Sequence, residues 1–144
     1  MFGLIFSIIA GAAMSVQGVM NTRLGERIGT MEANALVQCS AAALSLLVLL
    51  FYRTGSFSAL GGTPKLYWLG GVLGLVITVT VMLGIGRLSP TVAISVILIS
   101  QLLVAALIDA FGWMGSEKVA FGWTKLAGLA LMIGGVLLLK WERG

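Results

Sequence analysis

The sequence predicts an all-α membrane protein, a bundle of about five transmembrane helices. Charge is scarce, apolar runs of membrane-spanning length recur, and tryptophan falls near the ends of those runs. Only 10% of the residues are charged and 59% are hydrophobic, with a mean hydropathy of +1.09. A soluble domain carries roughly 25% charged and 45–50% apolar residues. A chain so poor in charge cannot cover a water-facing surface, so lipid is its expected solvent.

Crossing the hydrocarbon core takes about 20 predominantly apolar residues. Met1 to Thr22, Ala33 to Tyr52, Leu66 to Gly86 and Leu88 to Ile108 are free of charge. The last run is shorter, uninterrupted only from Leu126 to Lys140, and reaches full length if it begins near Phe121 with Lys125 snorkelling to the headgroups. The spans are therefore read at approximately 2–22, 31–52, 66–86, 90–110 and 121–140, within a single domain of residues 1–144. Ala10-Gly11-Ala12 faintly resembles a signal-peptidase site, but no Lys or Arg precedes the first run, so it is read as a retained helix.

Local signals mark the same boundaries. Thr30 can cap the second helix, with Glu32 in its first turn favoured by the helix dipole. Ser89-Pro90 is a cap followed by proline at the first helical position. Gly55 to Pro64 is the longest polar connection. Trp68, Trp113, Trp123 and Trp141 fall near helix ends, as interfacial aromatics do.

The composition also excludes function classes. The nine Lys and Arg are scattered between apolar runs and form no basic stripe, which argues for lipid headgroups and against nucleic acid as their partner. With no histidine and one cysteine, neither an intrachain disulfide nor a zinc or haem site can be built, so no metal or cofactor is expected. Cys39 lies in an apolar run and is expected to pack as a small hydrophobe. Acid–base or covalent catalysis lacks its parts, so the chain is not read as an enzyme and no catalytic residue is assigned.

Polar residues recur at helical spacing inside the spans. Asn34 and Gln38 share a face of the second helix with Ala41 and Ser45, and Gln101, Ala105 and Asp109 share one of the fourth. Gln17 and Asn21 lie in the first. Primary amides in hydrocarbon need partners, so these side chains are expected to face the bundle interior or a wet cavity, as structural glue or as substrate contacts. Small residues do the same: Ser7, Gly11, Ser15 and Gly18 in the first helix, Gly70, Gly71 and Gly74 in the third, and Gly128, Gly134 and Gly135 in the fifth. Such faces permit close helix approach, and the fifth has the best claim to a subunit contact. Asp109 lies near the far end of its helix, where a carboxylate opposes the dipole. Its readings are an ion pair with Lys118 or Lys125 and a coupling carboxylate for a proton or cation.

Five spans put the termini on opposite sides. Arg23, Arg27, Arg87, Lys140 and Arg143 fall on one side, and Arg53, Lys65, Lys118 and Lys125 on the other. Five against four is almost no bias, and bias is what normally fixes orientation. Dual insertion is one expectation. A single orientation with the C-terminus inside is the other.

The stretch Gln17-Gly18-Val19-Met20-Asn21-Thr22-Arg23-Leu24 with Gly29 resembles the opening of the YdcZ-like family of bacterial inner-membrane proteins. Gly86-Arg87-Leu88-Ser89-Pro90, Gln101 with Asp109-Ala110-Phe111-Gly112, and the closing Gly128 and Gly134-Gly135 carry the likeness over nearly the whole chain. That family belongs to the drug/metabolite transporter superfamily. The resemblance implies half of an inverted-repeat transporter and kinship with the small multidrug resistance proteins, which assemble as antiparallel dimers. Those relatives carry a glutamate in the first helix, where Gln17 stands nearest here, and an amide cannot titrate. Together these readings predict a small-molecule exporter of the inner membrane working as an antiparallel dimer, its other half coming from a second chain. The alternatives are a dual-topology ion channel and a non-transporting subunit of a heterodimer with a homologous chain.

Overall fold

In the computed structural model, which describes residues 2–120 and 122–141, five helices are long and apolar enough to cross a membrane. Their α-helical parts are α1 (Phe2–Ile28), α2 (Thr30–Phe51), α3 (Gly70–Arg87, in a span that begins at Lys65), α4 (Pro90–Phe111) and α5 (Trp123–Trp141). The sequence-predicted start of α5 at Phe121 lies outside the described residues.

The first helix is the clearest departure from the predicted spans, running on through Arg23, Glu26 and Arg27. At about 1.5 Å per residue its 27 residues reach roughly 40 Å, some 10 Å more than the hydrocarbon core. The excess is its charged end, where Arg23 Nη1 pairs with Glu26 Oε2 at 2.9 Å one turn on. Charge ends a hydrophobic run but not a helix. What ends α1 is Gly29, whose φ of 102° suits glycine and turns the chain straight into α2. Gly29 itself caps α2, and Thr30 is already helical with no side-chain cap, so the capping role expected of Thr30 is corrected. Glu32 is in the first turn as expected, and its carboxylate occupies the space a side chain at position 29 would need.

The polar connection after α2 is partly ordered. Ser56 caps a short 3-10 helix over Phe57–Gly62, and a second over Lys65–Leu69 leads into α3. The third span therefore opens as a tighter 3-10 turn where a continuous α-helix was expected. Ser89 Oγ accepts from Val92 N–H at 3.3 Å with Pro90 following, as the sequence indicates for the start of α4. Gly112, at φ 65°, ends α4, and Val119 N–H donates to the Asp109 carbonyl at 2.9 Å, filling one acceptor that the helix end leaves open.

Contacts group the chain into two units, Met1–Arg87 and Leu88–Gly144. In the first, α1 packs on both α2 and α3, and α2 also meets α3. The approach is closest at Gly18, where a Cβ would stand 2.9 Å from Ile85 Cδ1 and 3.2 Å from Val81 Cγ1. Ala33 of α2 and Met82 of α3, both buried, close on Gly25 of α1. The second unit is the α4–α5 pair. Large apolar side chains stay exposed along every helix, which in a lipid solvent is their favoured state. Cys39 is exposed among them, where packing had been expected: it stands on an outward face of α2.

Candidate functional site

The polar side chains of the spans separate into buried and exposed sets. Asn34, four residues into α2, is 4% exposed, and its Oδ1 has no hydrogen-bond partner among the described residues. Leaving such an acceptor unpaired costs about 1–3 kcal/mol. Asn21 of α1 is likewise buried. Neighbouring Thr22 satisfies itself, its hydroxyl donating to the Gly18 carbonyl at 2.8 Å. Gln38 is half-buried and reaches from α2 to α3, where the missing side chain of Gly74 makes room: a Cβ there would lie 3.5 Å from Gln38 Nε2. The structure thus binds Gln38 into the α2–α3 contact and buries Asn21 and Asn34.

Gln17 is placed differently. It is exposed, in an open trough of about 600 Å³ on one face of α1. Ile9, Ala13, Val16, Gln17 and Met20 recur at helical spacing along it, and buried Asn21 forms its polar end. Apolar side chains with a few polar groups are the usual lining of small-molecule sites. Every lining residue belongs to α1, so among the described residues of the first unit the trough has a floor and no opposing wall. Gln17 and Asn21 were legible from the sequence as amides, whereas the apolar floor was not singled out. Its signal was the alanine pair Ala12-Ala13 flanked by larger side chains.

Gln101 stands exposed on α4, away from the trough in sequence and in the other unit. Asp109 Oδ2 lies 3.8 Å from Lys125 Nζ, both side chains being partly exposed. Of the two lysines considered for it, Lys125 makes the pair. Gly128, Gly134 and Gly135 have no atom within 4 Å of where a Cβ would sit, so this stretch of α5 is open to close approach by another helix.

Comparison with protein families gives a match over residues 2–138 to the model described as "Putative inner membrane exporter, YdcZ". Neither the comparison with curated proteins nor that with solved structures gives a match.

Proposed function

We propose, from the premise that this chain belongs to the YdcZ family of inner-membrane exporters, that it exports a small molecule as one of two antiparallel five-helix units. The observation that carries this reading is the one-walled trough of α1. An alternating-access site needs two halves around it, and a second chain would supply the missing wall. The near-equal division of Lys and Arg lets an identical chain be that unit, inverted about an axis in the membrane plane. The open glycines of α5 offer a place for the two copies to touch.

The lining points to the chemistry of the cargo. Gln17 and Asn21 offer donors and acceptors without charge, beside apolar side chains. That suits a small molecule with an apolar body and a few hydrogen-bonding groups. Neither amide can carry a coupling proton. Asp109, paired with Lys125 at the end of its helix, is the acidic candidate for that role.

Thermal shifts across a panel of cations and metabolites would find a ligand, and flux of that ligand into proteoliposomes tests the site. Saturable flux that falls at least about tenfold in Gln17→Leu is expected, roughly what one lost hydrogen bond in a low-dielectric site is worth. Unchanged flux in Gln17→Leu would remove the trough from the path. Flux that does not saturate would favour a channel.

A further inference from the structure

A smaller groove, of about 280 Å³, lies between α4 and α5. Leu102, Ala105 and Ala106 of α4 and Leu129 of α5 line its apolar part, and Asp109 and Lys125 stand at its end. We propose that this groove binds a phospholipid carrying a zwitterionic phosphoethanolamine headgroup. The upper part of an acyl chain rests on the alanines, and the Asp109–Lys125 pair holds the headgroup.

Three observations carry the assignment. The first is depth. Trp113 and Trp123, both exposed, lie close in sequence to Asp109 and Lys125, and such aromatics mark the headgroup level. From Asp109 to Leu102 is two helical turns, so the groove runs about 10 Å into the hydrocarbon.

The second is lining. Ala105 and Ala106 leave a recess between the larger Leu102 and Leu129, and an apolar chain can lie in it.

The third is charge. The 3.8 Å between Asp109 Oδ2 and Lys125 Nζ exceeds the roughly 2.7–2.9 Å of a direct charge-assisted hydrogen bond. Carboxylate and ammonium therefore both keep hydrogen-bonding capacity for a ligand. A phosphodiester answers the Lys125 ammonium, and the ligand's own ammonium answers the Asp109 carboxylate. An anionic headgroup without an amine would set its phosphate against that carboxylate.

Native mass spectrometry of the full chain, purified in detergent and offered dioleoyl phosphatidylethanolamine and dioleoyl phosphatidylglycerol at equal concentration, tests this. Retention of the ethanolamine lipid over the glycerol lipid by about tenfold is expected, in line with one hydrogen bond to a charged group. Ala106→Phe fills the groove and should lower retention of both lipids. Asp109→Asn leaves Lys125 alone and should turn the preference toward the glycerol lipid, a reversal that misfolding cannot imitate. Equal retention of the two lipids by the native chain, or an unchanged preference in Asp109→Asn, overturns the proposal. So does an Ala106→Phe variant that keeps its lipid but shifts the balance of monomer and dimer, since the groove would then hold a second copy.

Discussion

Replacing Gly18 with alanine tests how tightly the first unit is packed, with a magnitude that follows from the geometry. The new methyl would stand 2.9 Å from Ile85 Cδ1 and 3.2 Å from Val81 Cγ1, inside the roughly 3.5–4.0 Å at which carbon atoms rest. Overpacking of this kind costs about 1–3 kcal/mol. The nearest atom ends a side chain that can turn, which places the cost in the lower half of that range. Alanine also gains up to about 1 kcal/mol of helix propensity over glycine, so the net change in Gly18→Ala is small and unfavourable. Gly11, on the same helix with nothing within 4 Å, receives the propensity gain alone. The difference between the two variants should be about 1–2 kcal/mol. Reversible unfolding of the full chain in mixed micelles measures it. Adding Ile85→Val deletes the offending methyl and should recover about 1 kcal/mol of the Gly18→Ala cost in a double-mutant cycle. Equal stabilities for Gly18→Ala and Gly11→Ala, or a cycle with no coupling, would refute the close α1–α3 approach.

Other substitutions probe separate links. Asn34→Leu removes a buried acceptor with no partner among the described residues, so stability measured the same way should hold or rise by about 1 kcal/mol; a loss of about 2 kcal/mol or more, the cost of a broken buried hydrogen bond, would refute this. Asp109→Asn breaks a partly exposed pair 3.8 Å long, and such pairs contribute under about 1 kcal/mol once solvent screening is counted. Its stability should barely change while proteoliposome flux weakens, and normal flux would leave Asp109 without a coupling role. Ser89→Ala removes the cap of α4 and should destabilise the chain by about 1 kcal/mol in the same unfolding assay.

The five helices were legible because in lipid a span must be both apolar and internally hydrogen-bonded, and the sequence displays the first requirement directly. Their ends were less so. The run of hydropathy stops at Thr22, but the backbone stays helical until a positive φ at Gly29 turns it. Composition also does not reveal that the third span opens as a 3-10 turn over Lys65–Leu69. At the candidate site the residue types were readable and their environments were not. Gln17, Asn21, Asn34 and Gln38 look alike as amides in apolar runs. Only packing shows that Asn21 and Asn34 are buried, that Gln38 fits against Gly74 and that Gln17 is left in an open trough. The Asp109 pair was read as a choice between two lysines. A fold-back of the loop, anchored by Val119 N–H on the Asp109 carbonyl, and the start of α5 at Trp123 bring Lys125 within 3.8 Å.

Side-specific cysteine labelling tests most directly the proposed meeting of two copies of this chain in opposite orientations. Exposed Cys39 is first replaced by alanine, and a single cysteine is introduced at Gly61, in the connection between α2 and α3 and outside the predicted spans. A membrane-impermeant maleimide is applied to intact cells, and to inverted vesicles in a parallel sample. The antiparallel homodimer requires about half of the chains to be labelled from each side. Labelling from one side alone would contradict it and would leave a fixed-topology chain paired with an oppositely oriented homologue.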